Sequence, residues 1–220
     1  MSKNLLVIGG SGILGKQIIL TFNESKAVWS TFNLDYRKND KAKFNIELGK
    51  NSSLKDIKSN LSKKATRFDC IINVGGGWEG TSIKDDEIIE SSKRMMDSNY
   101  YSALMAAALA NAFLNNNSLL VLTGASTIKK TTNTSFMLSY HMAKQSVHHL
   151  TEYLVHNSSA MLPSNTKVIT LLPSVIDTPN NRKAMPLSNF DEWTKPIVIA
   201  ELLKKWAVER NYPADFFYEV

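Results

Sequence analysis

Residues 5–22 read LLVIGGSGILGKQIILTF. Leu5–Ile8 is a short, unbroken apolar run that stops at glycine, the pattern of a strand buried on both faces. Ile13–Phe22 carries a helical pattern. Between them, Gly10, Gly12 and Gly15 satisfy G-x-G-x-x-G, and Gly9 adds a further permissive position. The glycines suit a tight turn, close approach of backbone to a pyrophosphate, and close packing of helix on sheet. The free N–H groups and partial positive charge of the helix N-terminus suit the phosphates. Gly9, Gly10, Ser11, Gly12, Ile13 and Leu14 are therefore the expected cradle of a dinucleotide.

The alternation begun there continues along the chain. Strands are expected at Val28–Phe32, Phe44–Ile46, Cys70–Val74, Leu119–Leu122 and Val168–Leu172, with a possible edge strand at Phe216–Val220. Helices are expected at Ser53–Leu61, Ser91–Leu114, Tyr140–Val155 and Trp193–Glu209. Repeated strand–helix units imply right-handed crossovers and a parallel sheet covered on both faces. The expectation is an α/β, doubly wound, Rossmann-type domain spanning residues 1–220. Ligands in such folds bind beyond the carboxyl ends of the strands.

Composition fits this reading. The chain has 220 residues, 43% hydrophobic and 21% charged, the profile of a globular protein. No apolar run approaches the roughly 18 residues of a membrane span, and the chain enters an apolar strand with no room for a cleavable signal. Cys70 is the only cysteine, so no intrachain disulfide forms. A cytoplasmic protein with no membrane partner is expected. The net charge of +6 gathers in Lys38–Lys43, Lys55–Lys64 and Lys129–Lys130. These lysines alternate with Asn, Ser and Asp rather than with stacking aromatics, which favours a solvated surface and no nucleic acid. His141, His148, His149 and His156 share one helix without a Cys, Asp or Glu at metal-ligand spacing, so surface or interface histidines and no metal are expected.

After the second strand the chain reads FNLDYRK. Asn33 is placed at the strand end, where an acid would hold the adenosine ribose and repel a 2′-phosphate. Asp35 follows and favours NAD; Arg37 would receive the extra phosphate of NADP. The residues leave both open.

Residues 140–144 read YHMAK. Tyr140 and Lys144, four apart on a helix, share one face. An unperturbed phenol has a pKa about 10, and an ammonium about 4 Å away would favour its ionised form by roughly 4 kcal/mol. That is enough to lower the pKa by two or three units. Y-x-x-x-K alone is common in amphipathic helices. Here it is joined by the first glycine loop, by Gly75-Gly76-Gly77 after a strand, and by PSVIDTP at residues 173–179.

Together these segments resemble the short-chain dehydrogenase/reductase superfamily over nearly the whole chain. The resemblance implies Tyr140 as proton donor and Lys144 as its partner and as a ligand of the nicotinamide ribose. It also implies Gly75 and Gly76 beside the cofactor, Asn99 as the superfamily's helix asparagine, and Pro173, Ile176 and Thr178 near the carboxamide. Ser174 replaces the usual glycine of that last segment. The superfamily's serine lacks a clear counterpart in LTGASTIKK. Counting from Gly124 gives Ala125 and counting back from Tyr140 gives Thr127, with Ser126 and Thr127 as stand-ins.

Within the superfamily, GGGWEG at 75–80, YHMAKQSVHHL at 140–150 and DTPNNRKAMPLSNFDEWT at 177–194 resemble the dihydropteridine reductase family. That implies reduction of quinonoid dihydropterin by NADH, NADPH being possible, in a homodimer. Trp78, Tyr140, Asn181 and Met185 would meet the substrate, with Arg182 in the same loop. Met95, Met96, Leu104 and Ala106–Ala108 would pack against the second subunit. An electron-poor conjugated pterin needs a proton on a ring nitrogen more than an alkoxide needs stabilising, which suits a site without the serine. Two alternatives stay open: a carbonyl reductase using Ser126 or Thr127, and a non-catalytic nucleotide sensor.

Overall fold

The computed structural model describes residues 3–65, 67–129 and 134–220. Lys130 of the expected Lys129–Lys130 pair lies outside the described residues. Strands β1 (Lys3–Ile8), β2 (Trp29–Asp35), β3 (Phe44–Glu47), β4 (Phe68–Asn73), β5 (Leu114–Thr123), β6 (Lys167–Leu172) and β7 (Phe217–Glu219) form one sheet. Its order is β3-β2-β1-β4-β5-β6-β7, and every neighbouring pair is parallel.

Because side chains alternate along a strand, the central strands feed two cores. Leu6, Ile8, Phe32, Leu34, Ile71, Leu120 and Leu122 pack with helices α2 (Leu54–Ser62), α4 (Ser102–Phe113) and α5 (Leu138–His156). Leu5, Val7, Cys70, Ile72, Val121, Ile169 and Leu171 pack on the other side with α1 (Ile13–Asn23) and α8 (Pro196–Glu209). Burial on both faces is why the strands read as continuous apolar runs. The doubly wound α/β sheet expected from sequence is present. Among the described residues no helix is long and apolar enough to cross a membrane.

Several boundaries differ, each for a physical reason. Strand β2 runs to Asp35 rather than ending at Phe32, because Asn33 is fully buried and its amide donates to Arg37 O and Asn45 Oδ1 at 2.9 Å each. The long middle helix starts earlier, as α3 (Ile88–Met95), and passes through a π turn (Met96–Tyr101) into α4. The last helix begins at Pro196, whose missing N–H costs nothing in the first turn. Trp193, placed in that helix from sequence, instead follows a 3₁₀ turn at Phe190–Glu192. Two short helices had no periodic signal: α6 (Ser158–Met161) and α7 (Pro179–Ala184).

The strand order reverses between β1 and β4, so the loops leaving these two strands lie side by side. Val74 N–H donates to Ile8 O at 2.9 Å. Gly9 has φ +82°, and a Cβ there would meet Gly75 N at 2.6 Å. The two glycine loops of the sequence therefore abut at the switch point, where a doubly wound sheet opens its ligand crevice.

Candidate active site

The first glycine loop separates two uses of glycine. At Gly15 a Cβ would collide with the Gly9 carbonyl, and at Gly10 with Asn33 Oδ1, so those positions are small because the chain itself packs there. At Gly12 the nearest atom to an added Cβ is Gly9 O at 3.4 Å, an ordinary contact. Gly12 is also exposed and is the N-cap of α1, with no side chain capping the helix and no acid in its first turn. That leaves an open helix end with unclaimed donors, the arrangement that accepts a phosphate.

At the carboxyl end of β2 stands Asp35. Its Oδ2 accepts Ser11 N–H at 2.9 Å and Ser11 Oγ–H at 2.5 Å, and its Oδ1 accepts Tyr36 N–H at 2.7 Å. Asp35 is thus tied to the first glycine loop, and it, not Asn33, is the residue at the strand end. The expected place of Asn33 beside the ribose is corrected: its side chain lies under the loop, with zero exposure. Arg37 is exposed. Asn39, which the sequence did not single out, is fully buried and donates its amide to Gly10 O at 2.7 Å, supporting the loop from below.

The second loop is gripped by Asn99, on the π turn. Asn99 Nδ2 donates to Gly77 O and to Met95 O, both at 3.0 Å, and its Oδ1 accepts Gly77 N–H at 3.3 Å. A Cβ on Gly76 would meet Asn99 Oδ1 at 2.8 Å and Lys144 Nζ at 3.5 Å, so this loop, Asn99 and Lys144 adjoin.

Tyr140 and Lys144 do share a face of α5, but their electrostatics differ from expectation. Lys144 is 4% exposed, and Nζ donates to Thr123 O at 2.8 Å. It stands 5.8 Å from the Tyr140 ring centroid. Burial pushes the Tyr140 phenol up to about 12 and draws the Lys144 ammonium down to about 8, because each loses water around its charged form. The expected lowering of Tyr140 by Lys144 is therefore corrected. Desolvation outweighs a cation whose hydrogen bond points at a carbonyl.

Where the superfamily's serine is expected, Ala125 is buried, and its N–H donates to His148 Nε2 at 3.3 Å. Ser126 and Thr127 are half-buried on a 3₁₀ turn (Ser126–Lys129), and Ser126 N–H donates to Pro173 O at 3.1 Å. His148 is 6% exposed and packs inside this chain against Ala125 and Phe217, which corrects its expected surface or interface position.

The opposite wall follows β6. Ile176 bridges to Thr194, and Asp177 N–H donates to Thr194 O at 2.9 Å. Thr178 caps α7 by accepting Asn181 N–H at 3.2 Å, while Asn181 Nδ2 donates to Ile176 O at 2.8 Å. Arg182 pairs with Asp177 through two bonds of 2.6 and 2.8 Å, and its guanidinium lies 4.5 Å over Phe190. Arg182 thus braces the loop. Met185 and Trp78 are exposed by 37% and 52%, and the Trp78 indole edge lies 3.0 Å from an added Gly80 Cβ.

With the site laid out, its relatives can be placed. The family model described as Enoyl-(Acyl carrier protein) reductase matches residues 14–210. A dihydropteridine reductase of Dictyostelium discoideum is 37% identical over 213 residues, 96% of this chain and 90% of that protein. A short chain dehydrogenase family protein from Francisella tularensis superposes with TM-score 0.79 at 23% identity, covering 100% of this chain and 97% of that one. The aldohexose dehydrogenase of Thermoplasma acidophilum does so with TM-score 0.81 at 19% identity, covering 100% and 92%. The likeness to solved structures shows the fold, and the curated relative shows the branch. This chain belongs to the dihydropteridine reductase family of the short-chain dehydrogenase/reductase superfamily, a family of oxidoreductases.

Proposed function

We propose that the protein reduces quinonoid dihydropterin to tetrahydropterin with NADH, Tyr140 giving the proton. The observation that carries this reading is the pairing on one face of α5 of a half-buried Tyr140, its phenol kept protonated by desolvation, with a buried Lys144, together with a buried Ala125 where the superfamily's serine is expected. A phenol held near 12 stays loaded as an acid at neutral pH. Its proton goes to the ring nitrogen that becomes basic as the pterin is reduced, and solvent then reprotonates the phenolate. When bound, the nicotinamide supplies the hydride, so NADH, quinonoid dihydropterin and one proton give NAD⁺ and tetrahydropterin. Gly9, Gly10, Ser11, Gly12, Ile13 and Leu14 would cradle the pyrophosphate. Gly75, Gly76, Pro173, Ile176 and Thr178 would flank the nicotinamide half, and Lys144 its ribose. Trp78, Asn181 and Met185 would face the pterin.

Steady-state oxidation of NADH by freshly generated quinonoid dihydropterin, with NADPH and a simple ketone in parallel, tests this. Turnover of the pterin supports the reading. Turnover of the ketone alone moves the chemistry to Ser126 or Thr127. Nucleotide binding without any turnover indicates a sensor.

Asp35 supports NADH, since a carboxylate at the strand end opposes a 2′-phosphate. Asp35→Ser is expected to lower the NADH over NADPH preference in kcat/KM by about tenfold or more, the scale of one removed charge repulsion. An unchanged ratio would transfer cofactor choice to other residues, Arg37 first.

A homodimer is part of the same proposal. Of the residues expected at the seam, Met95, Ala106 and Ala107 are buried in this chain's own core, which corrects that expectation. Ile89, Tyr101, Leu104, Met142 and Tyr153 are exposed by 39–63% along α3, the π turn, α4 and α5. That is apolar area suited to a second copy. Sedimentation at micromolar concentration is expected to give twice the chain mass, and a monomer alone would contradict it.

A further inference from the structure

Tyr140, Lys144 and His148 follow one another at four-residue intervals, so all three line one face of α5. The first two are accounted for above; His148 is not. Its Nε2 accepts the Ala125 N–H at 3.3 Å, and its ring packs 4.9 Å from Phe217 in β7. Lys144, one turn earlier, donates to Thr123 O at 2.8 Å. The two side chains therefore hold opposite ends of the same short turn, Thr123–Gly124–Ala125, by which β5 leaves the sheet. Gly124 lies against the imidazole, where a Cβ would collide with His148 Nε2 and meet Leu172 Cδ2 at 2.6 Å. Glycine at that position and histidine on the helix thus fit one another.

We propose that His148 is a positioning residue that locks this turn and so presents the Thr123 carbonyl to Lys144. An Nε2 that accepts an N–H does so with its lone pair and carries no proton itself, which places the ring proton on Nδ1. Ala125 brings no polar side chain to the turn, and the turn is held through its backbone instead. Gly124 N–H donates to Leu171 O at 2.9 Å and ties the peptide that carries the Thr123 carbonyl to β6. A shift of the Ala125 end strains that peptide, and the buried Lys144 then loses its bond to Thr123 O. The proposal rests on the reading of Tyr140 and Lys144 as the reacting pair.

Two variants separate positioning from bulk packing. His148→Leu keeps much of the volume and removes the acceptor; His148→Gln keeps an acceptor at similar reach. His148→Leu is expected to lower kcat about tenfold, the scale of one buried hydrogen bond. It should also weaken NADH binding about tenfold by fluorescence titration, with KM for the pterin within about twofold. His148→Gln is expected to restore both to within about threefold of wild type, even where its melting temperature is as low as that of His148→Leu. Parallel loss of kcat, NADH affinity and melting temperature in both variants would overturn the proposal, as would wild-type values in His148→Leu. Should His148→Leu not fold, His148→Asn serves, being polar but too short to reach Ala125. If the wild type itself fails to reduce the pterin, the functional reading falls. The positioning role is then judged by NADH affinity alone, where loss in His148→Leu and recovery in His148→Gln sustain it.

Discussion

Tyr140→Phe lowers turnover of quinonoid dihydropterin by about 10²- to 10⁴-fold, the usual contribution of a positioned general acid. NADH affinity in this variant stays within about twofold of wild type. The phenylalanine ring fills the same partly buried space on α5, so packing is kept and only the hydroxyl is lost. Burial holds that hydroxyl protonated, with its pKa pushed up to about 12. Removing it therefore deletes no charge from the cleft, and stability changes by about 1 kcal/mol or less. The separation matters: a fall in turnover with intact folding and intact nucleotide binding is the mark of a proton donor. Turnover equal to wild type would remove Tyr140 from the chemistry, and Ser126 or Thr127 would be the next residues to examine.

Lys144→Met shows a different signature. It loses the bond to Thr123 O and the ammonium that would meet the nicotinamide ribose, so turnover and NADH affinity fall together. The expected losses are about 10²-fold in kcat and about tenfold in NADH affinity, as for a charge-assisted hydrogen bond. The same variant reports on the buried amine through stability. The Lys144 pKa is drawn down from 10.5 to about 8 on folding. Between those values the unfolded chain binds more protons than the folded one. By linkage, wild-type stability gains over that window as pH rises, and Lys144→Met lacks the gain. Urea unfolding at about pH 8 and about pH 10 therefore shows wild type improving relative to the variant. A constant difference would mean that Lys144 is not desolvated in the folded state, and the geometry drawn around Thr123 would be wrong.

The glycine loop and the Tyr140–Lys144 pair were legible because their spacing is local. A turn and a single helix face each bring residues together within a few positions of sequence. Asn33 and Asp35 show where locality fails. A polar residue in an apolar run reads as a strand end, yet Asn33 is buried, its Nδ2 donating to Asn45 Oδ1 and Arg37 O. Strand β2 continues two residues further, to the acid. The π turn left no periodic mark either. One extra residue in a helix is invisible in an apolar pattern, and only its consequence, Asn99 reaching the Gly77 backbone, reveals it. His148 was indistinguishable from its neighbour His149 in sequence. One is buried against Ala125 and the other is exposed beside Glu152, because adjacent helix positions lie about 100° apart. The sign of the Tyr140 shift was missed for a related reason, since charge spacing along a helix says nothing about how much water the fold removes.

The central claim is that this cleft moves hydride and a proton to a quinonoid pterin. Mixing the NADH-loaded protein with freshly generated quinonoid dihydropterin in a single turnover, and following the loss of nicotinamide absorbance, tests it most directly. The account predicts a fast exponential decay in wild type that slows by about 10²-fold or more in Tyr140→Phe. A decay no faster than the reaction of NADH with the same pterin in buffer would contradict it.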